Sequence, residues 1–516
     1  MVAFLSRQSV PLVLALWSAL LFLPGLTSGD LWRTEALRAI IAEECLRSGD
    51  WLVPTLYGQP LLTKPPGMYA AIALVSWPFG AVTTWSARLP SALAATAVVF
   101  LFYWTFARTL GRRAGLLAGL IVPASAFWLD KAPSAEIDML QVAWVSAAVL
   151  LVVRALDDER LAARWWIAAL LCVAGGFLTK WTAPLFFYAT LIPLLVWRRQ
   201  LRLLIATPHL AGVACAGLLC GGWVLAVTHL VGWDVFWTAF SREALQHLSP
   251  KHHAATVAQL SADHHHKLNY WAGAALFPAL VLAMSLPWSA LALPAMRPSF
   301  GVALDPRGRL LWQALHCWAW PNLLIWTFLP DPSARHAAPL LPAFAGLATL
   351  VCIRMLGERG ALAPRGAAND PRLELPRGAN APRSPSMRFA TTALPVFLVG
   401  WLVVKLAFVS VIVPGRTAER QPRVKGAEIA AVVPAGRTLF LSRVKDEGIM
   451  FYFGGAVQRL EDWDDLPSTD EPLYAIVSES EWQRWDRRRA ADVILDLRDQ
   501  QRARLFVLRV SNRAPS

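Results

Sequence analysis

Glu35, Lys64, Asp138, Lys267, Arg335 and His336 are of the types that move a group from a phosphate to a hydroxyl. A carboxylate can take the hydroxyl proton or orient the hydroxyl. Lys and Arg bind phosphate oxygens, Arg in forked geometry. The run Asp263–His264–His265–His266–Lys267 adds imidazoles beside a lysine. His265 together with Asp138 is therefore the candidate pair for a divalent metal ion. Each type also has an ordinary duty. Lys and Arg at helix ends anchor helices at a membrane surface, Glu136 and Asp138 can cap a helix N-terminus, and a His run can be a solvated loop. The case for chemistry rests on where these residues gather.

The elements that must position them are membrane helices. In 516 residues, 56% are apolar, 16% are charged and 25 are Trp, a composition of polytopic membrane proteins. The net charge of +14 does not point to nucleic acid, because the Arg residues fall in short clusters between apolar spans, where inward-facing loops are basic. Five of the six cysteines lie in or beside apolar segments, with Cys45 alone in a polar loop, so no disulfide framework is implied. The N-terminal apolar stretch after Arg7 is read as an uncleaved first helix rather than a signal peptide.

A span needs about 20 mostly apolar residues. Segments of this kind recur from Val10–Leu26 to Ala390–Val413 and give about 11 to 13 transmembrane helices. Arg108, Arg112 and Arg113 follow the second span, Arg154, Arg160 and Arg164 the fourth, Arg198, Arg199 and Arg202 the sixth, and Arg297, Arg307 and Arg309 the eighth. Every second loop is basic and is assigned to the cytoplasm. The loops carrying Glu35, Asp138, Lys180, the His run and Arg335 then all face outward. Gly67 to Val82 is apolar but too short to cross, and a crossing would reverse this pattern, so it is read as an interfacial helix. The first outside loop runs over 27–88. Residues 354–388, rich in Pro, Gly and Arg, read as a flexible cytoplasmic linker. Residues 1–413 thus form the transmembrane core. Residues 414–516 form a small outside α/β domain, with strands expected at RTLFLSRV, GIMFYFGG, EPLYAIVS and ARLFVLRV and a helix over ESEWQRWDRRRAADVI.

From Gly29 to Tyr69 the sequence GDLWRTEALRAIIAEECLRSGDWLVPTLYGQPLLTKPPGMY resembles the GT-C integral membrane glycosyltransferases, in particular the aminoarabinose (lipid A) transferases and the related protein O-mannosyltransferases. The matching features are Thr34–Glu35, Ser48–Gly49–Asp50–Trp51, Pro54 with Gly58, and Lys64–Pro65–Pro66. The likeness continues through WSARLPSALAA, IDML, LTKWTAP, HHKLNYW and RHAAPLLPAFAGL, covering roughly Gly29 to Leu350.

The resemblance implies a GT-C fold and an enzyme that transfers a sugar from a polyprenyl phosphate-linked donor to a lipid, glycan or protein acceptor. It places the chain in the bacterial cytoplasmic membrane with its active site outside, in contact with membrane lipids and with no nucleic-acid partner. On the matched positions it implies catalytic roles for Asp138 and Glu35. Donor-phosphate contacts would come from Lys64, Lys267, Arg335 and His336. The sequence departs from the family pattern at Thr34, at Thr63, where a metal-binding Glu is often found, and at His336, in place of a Tyr. A rival reading, a multi-pass transporter or flippase of lipid-linked sugars, would place ionisable groups near the bilayer midplane on broken helices. Only the break at Lys180 resembles that.

Overall fold

The computed structural model describes residues 9–157, 161–248, 270–329, 334–356, 385–469, 471–485, 489–499 and 503–511. His265 and Lys267 lie outside the described residues.

The chain opens with α1 (Ser9–Phe22), then places α2 (Thr34–Ser48), a two-strand hairpin of β1 (Thr55–Leu56) and β2 (Gln59–Pro60), and α3 (Gly67–Ser76) before the first long helix, α4 (Thr84–Leu110). Tyr57 and Gly58 both take positive φ in the hairpin turn, and Glu44 of α2 accepts hydrogen bonds from Tyr57 N (2.6 Å) and Thr55 Oγ1 (2.6 Å) to hold it. At 1.5 Å per residue α3 is about 15 Å long, half a hydrocarbon core. It packs against α2 and α4, as a helix too short to cross must.

The bundle continues with α5 (Arg112–Ile121), α6 (Ala126–Lys131), α7 (Ile137–Leu156), α8 (Ala163–Phe177), α9 (Ala183–Trp197), α10 (Thr207–Val231), α11 (Trp233–Leu248), α12 (Tyr270–Met284), α13 (Pro306–Thr327), α14 (Leu341–Met355) and α15 (Pro385–Ala407). Among the described residues five helical stretches are long and apolar enough to cross a membrane, and a sixth forms if Ala274–Met284 and Trp288–Met296, bent by 92° at their junction, count as one. The larger number read from hydropathy includes shorter apolar helices such as Ser9–Gly25, Ala163–Phe177 and Ala183–Trp197. Two of them, Ala163–Phe177 and Ala183–Trp197, are separated by the break at Leu178–Thr182, where the chain turns and buries Thr179 and Lys180.

A π-turn at Phe408–Ile412 links α15 to α16 (Val413–Arg420), so helix runs unbroken past Val413, and α17 (Pro422–Val432) follows after Gln421 in the left-handed region. The remaining chain forms a five-stranded sheet, order β4-β3-β5-β7-β6, from β3 (Leu439–Leu441), β4 (Val457–Arg459), β5 (Leu473–Ser478), β6 (Ala491–Arg498) and β7 (Arg504–Val510). β3 is parallel to β4 and β5, while β7 is antiparallel to β5 and β6.

Two local expectations fail here. GIMFYF is a helix, α18 (Glu447–Phe453), because the Asp446 side chain accepts Ile449 N at its start and Gly454 ends it in the left-handed region. The helix expected through residue 494 stops at Gln483 as α19 (Glu479–Gln483), and ADVILDLR instead pairs along β7 as β6.

The central strands β3, β5 and β7 are buried on both faces, while the edge strands β4 and β6 are more open. Leu439, Leu441, Ile476 and Val507 join a core with Leu31, Ala36, Ile41 and Met68 of the first loop and its helices, whereas Phe440, Ala475, Val477 and Phe506 form a separate layer. The first loop and the C-terminal region therefore share one apolar core. Leu31 N also donates to Tyr452 Oη (2.8 Å), and Arg423 pairs with Asp30 (3.0 Å).

Candidate active site

Lys64 precedes α3 on a segment tied down from two sides. Trp181 Nε1 donates to the Thr63 carbonyl (3.0 Å) and Gly67 N to the Leu178 carbonyl (2.8 Å). A Cβ on Gly67 would stand 2.7 Å from both that carbonyl oxygen and Thr179 Oγ1, so only glycine lets the two turns close on each other. Trp181 packs edge-on against Phe177 and Phe240, beside a small core of Val53, Leu62, Trp223 and Phe236.

This docking brings Lys64 next to the turn that carries Lys180. Lys180 Nζ reaches Asp138 Oδ1 at 3.0 Å, with Asp138 only 2% exposed in the first turn of α7. Next to them Gln141 Nε2 donates to Thr182 Oγ1 (2.7 Å). Lys64 itself forms an ion pair with Glu243 of α11. Burial first, then the like charges of Lys180, Arg38 and Arg335, pull the Lys64 ammonium down to about 7, against the opposing charge of Asp138. Lys64, Lys180, Arg38 and Arg335 thus gather around the buried Asp138, with Glu243 answering Lys64 and Glu136 answering Arg335. An oxyanion that displaced Glu243 would take over its part in offsetting the cations' repulsion.

Glu35 is differently occupied. Its Oε1 accepts from Arg88 Nε (2.9 Å) and from Ala135 N (2.8 Å), and its Oε2 accepts from Arg88 Nη2 (3.0 Å). Arg88 also donates to the carbonyls of Ser28 (2.7 Å), Gly29 (3.3 Å) and Asp30 (3.2 Å). Arg88 is in place because Thr83 and Ser86 form a reciprocal cap that fixes the start of α4. The pair staples the 25–35 segment to α4 and to the turn before α7.

Arg335 lies in the 3₁₀ turn Ala334–Leu340, with Nη1 3.6 Å from Glu136 Oε2, while Lys131 Nζ holds Glu136 Oε1 at 3.1 Å. His336, its neighbour, turns to the other side and packs its ring 6.3 Å from Trp326. The structure therefore gathers Lys64, Asp138, Glu35 and Arg335 at one pole of the bundle and directs the His336 ring toward α13. Among the described residues no group of three or more His, Cys, Asp or Glu could hold a metal ion. Asp138, already bonded to Lys180 and close to Arg38 and Arg335, is poorly matched to a divalent cation. All six cysteines are free.

Sequence reasoning passed over Arg38 and Arg88, and counted Glu243 among the polar residues of the outside loops without giving it a role. Arg88 carried a usable signal, a charge a few residues inside an apolar span. The pairing of Glu243 with Lys64 had no local signal, because it depends on how α11 folds back.

The opposite pole is also polar but closed on itself: Asp157 pairs with Arg108 (3.3 Å) and Arg307 (3.0 Å).

With its helical bundle, first loop and C-terminal sheet, the chain has the fold of the GT-C membrane glycosyltransferases, and the resemblance read from the first loop is borne out. The crystal structure of ArnT from Cupriavidus metallidurans bound to undecaprenyl phosphate superposes with a TM-score of 0.69 over 97% of this chain and 98% of that one, at 18% identity. The archaeal oligosaccharyltransferase AglB from Archaeoglobus fulgidus gives a TM-score of 0.53 over 87% of this chain and 64% of its own, at 13% identity. In sequence, residues 63–225 match the family model described as dolichyl-phosphate-mannose-protein mannosyltransferase. The chain is 30% identical over 347 residues to the undecaprenyl phosphate-alpha-4-amino-4-deoxy-L-arabinose arabinosyl transferase 1 of Sodalis glossinidius, covering 66% of this chain and 57% of the relative. It is 28% identical over 354 residues to the corresponding enzyme of Pectobacterium carotovorum, covering 67% and 59%. It thus spans less than two thirds of the length of these relatives.

Proposed function

We propose that this chain is a bacterial membrane glycosyltransferase that moves a sugar from a polyprenyl phosphate donor to a hydroxyl or phosphate of a lipid, glycan or protein acceptor. The observation that carries the reading is the cluster of Lys64, Lys180, Arg38 and Arg335 around Asp138 at one pole. It has the charge needed to seat a donor phosphate and a carboxylate to meet the acceptor. Similarity to transferases that are named for an undecaprenyl phosphate donor supports the same class of donor here.

In this reading the acceptor oxygen attacks the anomeric carbon as Asp138 accepts its proton or orients it. The bond from that carbon to the phosphate oxygen breaks, and the electron pair leaves with polyprenyl phosphate. Lys64 and Arg335 stabilise the charge developing on the leaving phosphate, with Lys267 as a further candidate. Glu35, with both oxygens engaged, contributes by holding Arg88 and the first loop in place. Before the donor arrives, Glu243 occupies Lys64 and must give way to the phosphate.

The membrane reading is eleven or more spans in the cytoplasmic membrane, with the active pole outward. The Arg-rich loops at the opposite pole support that orientation. Ionisable groups gathered at one pole, rather than along a central path, favour transfer over transport.

The test is reconstitution of the purified protein with a panel of polyprenyl phosphate-linked sugars and candidate acceptors, with products read by mass spectrometry. The reading predicts a sugar adduct with wild type and none with Lys64→Ala or Asp138→Asn, both inserted normally. Wild-type turnover by both variants would remove the site.

A further inference from the structure

A cavity of about 390 Å³ lies beyond Glu136 and Arg335, walled by the 28–35 segment, the end of α6 and the last membrane helix with its extension. Its outer wall is cationic in an unusual way. Arg33 and Arg420 lie against the Trp32 ring, 4.5 Å and 3.4 Å from its centroid, while Lys405 and Arg416 lie 5.9 Å and 5.4 Å from that of Phe408. Aromatic faces, more than carboxylates, hold these charges. Asp30, Glu35 and Glu136 also line the cavity but are engaged by Arg423, Arg88 and Lys131. Asp130 is the carboxylate that faces the four, paired with Arg416 at 3.5 Å and lending its charge to Lys405 and Arg420. Arg420 carries the repulsion of both Arg416 and Arg33.

Lys405 is the sharpest case. It is 1% exposed in the apolar second half of α15, and its ammonium donates to the main-chain carbonyl Leu129 O at 2.7 Å. A buried ammonium has three protons to satisfy. Here one carbonyl takes a proton and Asp130, across the same cavity, supplies the opposing charge, which leaves capacity for a further oxyanion. The neighbouring residues Val403, Val404, Val411 and Ile412 are exposed and apolar, the surface of a helix that faces lipid, so an acyl or prenyl chain can lie beside this wall while a headgroup enters the cavity.

We propose that Lys405, Arg416, Arg420 and Arg33 form a second oxyanion subsite, separate from the Lys64 cluster, that seats the phosphate of a membrane amphiphile. It rests on the proposed function only in taking the Lys64 cluster as the donor site. Two oxyanion subsites then flank the carboxylates, with Arg335 between them, close to Asp138 and Lys64 on one side and lining the cavity on the other.

The experiment is calorimetric titration of the full-length protein in neutral detergent at low salt, with inorganic phosphate, dioctanoyl phosphatidic acid and dioctanoyl phosphatidylcholine as separate probes. Wild type should bind the phosphatidic acid and leave the zwitterionic lipid unbound. Lys405→Gln and Arg420→Gln should each weaken that binding by about tenfold or more, the loss of one charge-assisted contact, and Lys405→Arg should restore most of it. Lys64→Ala removes binding of the same probe at the donor cluster, and in that background Lys405→Gln should still weaken the remaining binding by about tenfold or more. Tighter binding of either phosphate source with this dependence supports the subsite, and the tighter one identifies its natural form. Arg420 is partly exposed, so its replacement guards against a folding failure at Lys405. Unchanged affinity in both the Lys405→Gln and Arg420→Gln variants, or no difference between Lys64→Ala and Lys64→Ala with Lys405→Gln, would overturn the proposal. Lack of sugar transfer together with intact Lys405-dependent binding would instead count against the proposed function alone.

Discussion

Two acid–base pairs stand at the same pole and are built to different specifications. Glu35 and Arg88 satisfy each other: both carboxylate oxygens are bonded, and the guanidinium spends its remaining donors on a row of main-chain carbonyls. Asp138 and Lys180 share one contact of 3.0 Å beside Arg38, Lys64 and Arg335, of which Lys64 is answered by Glu243 and Arg335 by Glu136. A pair whose bonding capacity is exhausted fixes structure. One left in surplus positive charge is poised for a ligand that brings negative charge. Burial alone does not separate the two, because both are largely hidden; the separation comes from counting bonds and charges.

The comparison breaks most visibly at its extremes. Asp138→Asn should lower transfer by about 10²–10⁴-fold, the range for losing a positioned acid–base group, with the protein still folded as judged by its elution and thermal midpoint. Arg88→Ala should act the other way round. Removing one partner of a buried pair costs about 3–5 kcal/mol, so the variant should show a lowered melting midpoint or poor recovery in detergent. Replacing both members, Glu35→Leu with Arg88→Met, should recover part of that stability, and no recovery would mean the staple does more than balance charge.

A smaller effect sharpens the docking of the two turns. Gly67→Ala must push the Leu178 carbonyl aside, which by analogy with overpacked cores costs about 1–3 kcal/mol. It should raise KM for the donor more than it lowers kcat. The subtlest effect is a pH dependence. Lys64 loses its proton as pH rises through about 7 in the free protein, and a bound phosphate favours the protonated form. Donor binding therefore takes up a proton above that pH, and affinity should decline by up to about tenfold per pH unit until the bound-state value is passed. Below pH 7 this contribution is fully present. Lys64→Arg, which stays charged, should flatten the profile.

Much of this pole was legible in the sequence. Lys64–Pro65–Pro66–Gly67, the IDML turn with Asp138 and the LTKW break each stand out, and alternate basic loops place them on one face before any fold is known. What the sequence hid were pairings across distance. Nothing local says that Arg88 will meet Glu35, or that Glu243 will cover Lys64. The C-terminal region was misread where side-chain pattern is ambiguous. GIMFYF is rich in β-formers, yet Asp446 and Gly454 bracket it as a helix. Its apolar residues face α2 and α17, a partnership that treating residues 414–516 as a separate unit does not anticipate. Lys405, passed over in the sequence reading, is a charge in an apolar run, a signal that asks for a partner without naming one.

The central claim, that Lys64 receives the donor phosphate, is tested most directly by measuring undecaprenyl phosphate binding to wild type and Lys64→Ala in detergent at pH 6.5, chosen to lie below the value of about 7 at which Lys64 titrates. The account predicts affinity weaker by about tenfold or more in the variant, the loss of one charge-assisted contact. Equal affinity would contradict it.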